Sequence, residues 1–345
     1  MTAGAAAQST DFAERTGGQA VLTLILVGMV AALFVASVAI GSTGVVLFSG
    51  LDRIFAEDPS AASVILREIR LPRAILGLMA GATLGLAGAA LQGLLRNPLA
   101  APGVMGVSAS AGLGAVIVFY FGLSQVFALA LPLGGMAGAL LAVGIIYLLA
   151  GRDSSVLTLI LAGAAINAFA AALTSLALNL APSPFAALEI VFWLLGSLTD
   201  RSFKHVAVAG PVMIAGWVLM LGVGRPLDAL TLGEDTARSL GVNLGALRLR
   251  VILGTALSVG AVVSVTGGIG FVGLVVPHLL RPFVRHRPGR LLWVSALGGA
   301  ALVLAADIVV RLIQVGPGLK LGVVTALVGA PFFLYLILKT RRDML

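Results

Sequence analysis

The charges of this chain sit where an apolar sequence should least tolerate them. Arg67, Arg70 and Arg73 stand at the entrance of one apolar run, and Asp307 and Arg311 near the end of another. Four residues apart, Asp307 and Arg311 share a helix face and can form an ion pair. Basic side chains gathered at one membrane face suit an acidic protein partner; helix-end anchoring by snorkelling arginines is the plainer reading. Other chemistry is missing by count and spacing. Lysine occurs only at 204, 320 and 339, and no G-x-x-x-x-G-K-[ST] stretch is present, so there is no phosphate-cradling loop of that type. Paired carboxylates, a Ser/His/Asp set and an H-E-x-x-H helix are all absent, and His205, His278 and His286 are too scattered for a metal site. Without cysteine there can be no disulfide, iron–sulfur cluster or thiolate zinc site. The chain is therefore expected not to be an enzyme. Only Glu189 and Asp307 approach membrane depth as acids, which makes an ion-coupled carrier the weaker alternative.

These residues must be positioned by helices in a bilayer. Of 345 residues, 59% are hydrophobic and 10% charged, whereas soluble domains carry roughly one quarter charged residues. No Asp, Glu, Lys or Arg occurs from Val21 to Leu51 or from Asn97 to Gly151, and one span needs about 20 apolar residues. The fold class is all-α, a polytopic membrane protein. A net charge of +8 is dispersed between apolar runs, where it sets orientation, and is no nucleic-acid footprint.

Residues 1–19 form an expected cytoplasmic tail, lacking the basic start of a signal peptide, and residues 20–345 the transmembrane domain. Charge, Gly and Pro divide this domain into about ten spans, near 20–47, 70–95, 104–120, 126–150, 156–180, 205–223, 250–266, 270–281, 290–311 and 322–338. Gly77, Gly81 and Gly85 give the second span a face for close helix approach. Residues 186–198 suit a short helix dipping inward, and 224–250 short amphipathic helices on a membrane face. With both termini cytoplasmic, most of the 22 basic residues fall inside. Arg67, Arg70, Arg73 and Arg311 then lie outside, against the trend.

Several ordered motifs bear on function. They are Arg70-Leu71-Pro72-Arg73, Gly88-Ala89-Ala90-Leu91-Gln92, Arg96-Asn97-Pro98-Leu99, Trp193-Leu194-Leu195-Gly196-Ser197-Leu198, Ala237-Arg238-Ser239-Leu240-Gly241-Val242, Gly270–His278, Ala305-Ala306-Asp307 and Gly322–Phe333. Through them the chain from Arg67 onward resembles the permease subunits of binding-protein-dependent ABC importers for ferric siderophores, haem and cobalamin. The resemblance implies a type II importer permease of ten spans in a bacterial inner membrane. It implies a homodimer of permease copies, two cytoplasmic ATPase subunits that hold ATP and Mg, and a periplasmic substrate-binding protein; this chain itself would bind no cofactor.

Site residues follow from the same resemblance. Arg70, Arg73 and Arg311 match arginines that meet glutamates of the binding protein. Leu232, Gly233, Glu234, Asp235, Arg238, Leu240, Gly241 and Val242 match the segment that enters a cleft on the ATPase, Leu240 and Val242 filling it. Asn97 and Leu99 would constrict the cytoplasmic end of the pore, with Ser154 and Ser155 opposite. His278 is a candidate pore or substrate residue. Gly318-Leu319-Lys320-Leu321-Gly322 is similar to the haem-transporting branch, so haem is the expected cargo, with a siderophore or cobalamin as the alternative. Two departures from the family stand out: Gly267-Gly268-Ile269 lacks a proline, and Arg285-His286-Arg287 replaces a D-H-R segment, leaving a more basic inner surface.

Overall fold

The computed structural model describes residues 2–41, 61–103, 105–127, 129–150, 156–313 and 318–343. Among the described residues the regular structure is all helix. The elements are α1 (Thr2–Ala39), α2 (Leu71–Leu94), α3 (Val107–Tyr120), α4 (Ala130–Ala150), α5 (Val156–Asn179), α6 (Pro184–Leu194) and α7 (Phe203–Leu221), followed by α8 (Gly224–Leu230), α9 (Glu234–Ser239), α10 (Leu244–Thr266), α11 (Val272–Leu280), α12 (Pro288–Leu312) and α13 (Leu321–Asp343). A π-helical turn, Ile65–Arg70, leads directly into α2.

Among the described residues, seven helices are long and apolar enough to cross a bilayer: Ala20–Ala39, Ile65–Leu94, Ala130–Leu149, Leu157–Asn179, Phe203–Leu221, Leu244–Thr266 and Pro288–Leu312. The expected third, eighth and tenth spans lie outside this set, the tenth with a shorter apolar stretch at Leu321–Tyr335. Helix α3 has 14 residues and α11 only 9, because glycine-rich connections break the chain beside them.

The core is the antiparallel pair α2 and α12. Gly81 and Gly85 lie directly against the backbone of Gly299 and Ser295, so closely that a Cβ on either glycine would collide with a main-chain oxygen. The glycine face expected from the sequence is thus the contact itself, and small residues are what let two helix backbones approach this far. Helix α10 lies behind the pair, buried along nearly its whole length, and α7 packs on it.

The hydrophilic stretch 224–250 is more ordered than a connector. It divides into α8, α9 and the first turns of α10, which begins at Leu244 rather than 250. Asn243 starts that helix: its side-chain oxygen accepts from the Ala246 N–H at 2.9 Å, an N-cap that satisfies one orphan amide. Leu244, Leu247 and Val251 then point into the core and pull the helix start inward.

Candidate functional site

At one end of the bundle the expected basic ring has a different form. Asp307, 1% exposed, accepts hydrogen bonds from Arg73 Nε at 3.1 Å and Arg73 Nη2 at 2.8 Å, and from Arg311 Nη2 at 2.6 Å. The other nitrogen of Arg311 donates to the carbonyls of Ser37 and Ile40 at 2.6 and 2.8 Å, and its Nη2 also reaches the Ser37 hydroxyl. Arg70, 4% exposed, donates to the carbonyls of Ala39 at 2.6 Å and Val38 at 3.3 Å. The last carbonyls of a helix lack intrahelical partners and carry its negative dipole end. Two arginines therefore close the end of α1.

This corrects the picture of a solvent-facing ring. Arg70, Arg73 and Arg311 turn inward, held by Asp307 and by α1, whereas Arg67 is exposed, with a 64% exposed side chain 3.5 Å from Glu68. Helix-end anchoring and the i,i+4 pair both occur. Asp307, weighed as an ion carrier, is engaged by two guanidiniums, and Glu189 is exposed.

Three of the sequence motifs converge at one junction. Helix α6 ends at Leu194, α10 at Thr266, and α13 begins at Leu321. Ser197 N–H donates to the Thr266 carbonyl at 2.7 Å, and Gly322 N–H to Leu195 at 3.1 Å. Gly196 and Gly267 take left-handed φ values of 74° and 69°, with the backbone of Gly268 and Trp193 pressed against their α-carbons. Only glycine fits both the conformation and the space. Gly268, where the family carries proline, lies inside this knot. The chain then turns at Phe271, itself at φ 64°, before α11.

Broken backbone at membrane depth persists where it is buried in protein or lines a cavity, and a cavity of about 530 Å³ adjoins this one. It is lined by Gly268, Ile269, Gly270, Phe271, Leu99 and Phe333, among other mostly apolar residues. Leu99 thus connects the junction to the Asn97-Pro98 break. There Asn97 accepts from the Leu99 N–H at 2.9 Å, and Arg96 takes a left-handed φ of 47°. Ser154 and Ser155 lie outside the described residues. His278 packs edge-on against Phe332, centroids 5.9 Å apart, and Lys320 Nζ lies 5.4 Å from the centre of the Phe192 ring.

At the opposite end, α8 and α9 present a second surface. Leu232 and Leu240 are 65% and 63% exposed, and Asp235 and Arg238 are exposed beside them. Glu234 turns inward to Arg248 at 2.9 Å, and Ala237 is fully buried, fixing α9 on the body. Val242 is half-buried against the core and lines an open pocket together with Leu240. Gly233 and Gly241, at φ 104° and 83°, bound the helix.

Two contacts and one buried cation were not singled out from the sequence. Asp228 Oδ1 accepts from the Gly289 N–H at 2.8 Å, tying α8 to the first turn of α12, the partner of α2. Arg281 donates to Gln92 Oε1 at 2.5 Å, joining α11 to the end of α2. Arg201, between α6 and α7, has a buried Nε without a hydrogen-bond partner among the described residues, and burial pushes its guanidinium below its ordinary pKa although Asp200 opposes this. Spacing gave no signal for the two contacts, since their partners are distant in the chain.

A bundle of broken and continuous apolar helices, with an exposed apolar surface at one end, is the architecture of a multi-pass membrane protein. Residues 13–339 match the model of the FecCD transport family, and the chain belongs to that family. It is 38% identical over 294 residues to an uncharacterised ABC transporter permease, YvrB, of Bacillus subtilis, an alignment covering 84% of this chain and 82% of that one. It is 39% identical over 282 residues to the cobalamin import system permease BtuC of Halobacterium salinarum (81% and 74% covered). The vitamin B12 import system permease BtuC of Salmonella paratyphi A is 40% identical over 284 residues (80% and 84%). A solved metal-chelate type ABC transporter in an inward-facing conformation superposes with TM-score 0.81 and 30% identity, over 93% of this chain and 99% of that one. The protein is a permease of an ABC importer of the FecCD/BtuC type.

Proposed function

We propose that this permease passes a metal-chelate macrocycle of the cobalamin kind into the cytoplasm of a bacterium, across its inner membrane. It works as a homodimer, with both termini inside. Two cytoplasmic ATPase subunits bind ATP and Mg and seat the α8–α9 surface, and an outer substrate-binding protein delivers the cargo. The observation that carries this reading is the apolar cavity of about 530 Å³ where three motifs meet. A lining with few polar groups gives a large chelate passage without holding it tightly.

Haem, expected from the Leu319-Lys320-Leu321 form, draws no support from its two candidate contacts. Lys320 lies against Phe192, and His278 packs on Phe332. Relatives named for cobalamin favour the corrinoid.

Docking of the binding protein belongs to the Arg70, Arg73 and Arg311 end. Two guanidiniums there share one carboxylate, which leaves the Arg73–Asp307–Arg311 group positive, and exposed Arg67 stands beside it. An acidic partner surface approaching this end is drawn by that residual charge. Asn97 and Leu99 close the inner end of the passage.

The test is ATP-dependent uptake into proteoliposomes holding the permease and its ATPase, with the binding protein on the outer face. Cobalamin, haem and a ferric siderophore are compared. Cobalamin accumulation supports the reading; accumulation of haem or siderophore instead keeps the machine and discards the corrinoid; ATP hydrolysis without any uptake overturns the importer.

A further inference from the structure

A second cavity, of about 700 Å³, lies between α1, α2, α7 and α12, away from the junction described above. Its walls are apolar side chains such as Leu22, Val30, Leu78, Leu86 and Leu297, and Trp293 at its rim is 57% exposed, so it opens on the outside of the bundle. Along α12 it reaches from Arg290 to Ala300, roughly 15 Å at about 1.5 Å per residue. That is half of the roughly 30 Å hydrocarbon thickness of a bilayer, the depth of a single leaflet.

The mouth of this groove is basic. Val284 and Arg290 both line it, and between them lie Arg285, His286 and Arg287, all exposed. None of the three arginines is paired with a carboxylate among the described residues. Asp228, the acid touching this segment, is occupied by the Gly289 N–H. Arg285 and His286 hold left-handed φ values of 53° and 61°.

We propose that this groove is a binding site for an anionic phospholipid, one acyl chain lying against α12 and the phosphate meeting Arg290 with Arg287 and Arg285. The shape argues for a chain and not a peptide: the slot is apolar, runs along the bundle for one leaflet, and is capped by cations only at its interfacial end. A protein occupant would need apolar side chains at the mouth, where the structure places arginines. Juxtamembrane arginines attract anionic headgroups, and guanidiniums recognise phosphate bidentately. The leaflet is the cytoplasmic one under the orientation proposed above; the site does not depend on which cargo the permease carries.

Two of the three tryptophans of the chain, Trp217 and Trp293, line the groove, which supplies the readout. A protein keeping Trp217 alone (Trp193→Phe, Trp293→Phe) is placed in phosphatidylcholine vesicles with rising fractions of chain-brominated phosphatidylglycerol, and in parallel with brominated phosphatidylcholine. Trp217 emission should be quenched at a mole fraction at least roughly fivefold lower for the anionic lipid, and Arg287→Gln with Arg290→Gln should remove that preference. Ala296→Phe, which fills the groove wall with the arginines intact, should abolish quenching by both lipids. Equal quenching by the two lipids, or a preference that survives loss of the arginines, overturns the site. So does the absence of quenching by either lipid in the Trp217-only protein, which would mean that protein covers the groove. Because Arg287 and Arg290 are exposed, their substitution leaves the fold intact, and retention of phosphatidylglycerol by the unaltered protein in native mass spectrometry reads the same site independently.

Discussion

Arg73 and Arg311, 238 positions apart in the chain, meet on the two oxygens of Asp307, at 2.8 and 2.6 Å. One carboxylate thereby ties α2 to α12 and, through the second contacts of Arg311, to the end of α1. Removing one member of a buried ion group strands the rest without compensation, at about 3–5 kcal/mol. Asp307→Ala should therefore lower the unfolding temperature in detergent sharply, and more than Arg67→Ala, whose side chain is exposed. Equal effects would show the cluster to be loosely solvated.

Leu232 and Leu240 touch little of their own chain. Leu232→Asp with Leu240→Asp should leave unfolding within about 0.5 kcal/mol of the unaltered protein, as exposed substitutions generally do. Co-purification with the ATPase should fall at least roughly tenfold, the change that about 1.4 kcal/mol of interface energy produces. Normal ATPase capture would move the coupling surface elsewhere.

Asp228 ties α8 to α12 through the Gly289 amide, and the proposed passage of motion from the ATPase predicts that its loss affects coupling and not ATPase capture. Asp228→Ala should cost about 1 kcal/mol of stability, the usual scale for a lost cap. The ATPase should still bind and hydrolyse ATP, while uptake per ATP declines. Loss of ATPase binding in this variant would refute the division of labour.

The α2–α12 contact leaves no room at Gly85. Gly85→Val places two methyl groups against the Ser295 carbonyl, and overpacking of this kind costs typically about 1–3 kcal/mol or rearranges the helices. Monodisperse protein should be lost in size-exclusion chromatography, whereas Gly28→Val on α1, where a Cβ meets nothing within 4 Å, should behave normally.

Much of this was legible beforehand because the bilayer constrains sequence so strongly. Long uncharged runs announced the helices, Gly77, Gly81 and Gly85 announced a close contact, and the i,i+4 spacing of Asp307 and Arg311 announced their pair. Each is a local pattern, decided by helical periodicity and by the cost of charge in lipid. Ordered motifs likewise announced an importer permease.

What composition and periodicity could not decide was which distant groups meet. Arg70, Arg73 and Arg311 looked exposed because arginine at a membrane face ordinarily reaches water; only the fold brought Asp307 and the bare carbonyls of α1 within their reach and buried them. The knot of Gly196, Gly267 and Gly322 joins residues from three helices, and neither spacing nor hydropathy encodes such a meeting. The sequence by itself determined the helices and the class of machine, since both follow from local chemistry. The tertiary structure alone decided which charges are neutralised and which surfaces stay open, because those depend on contacts between residues far apart in the chain.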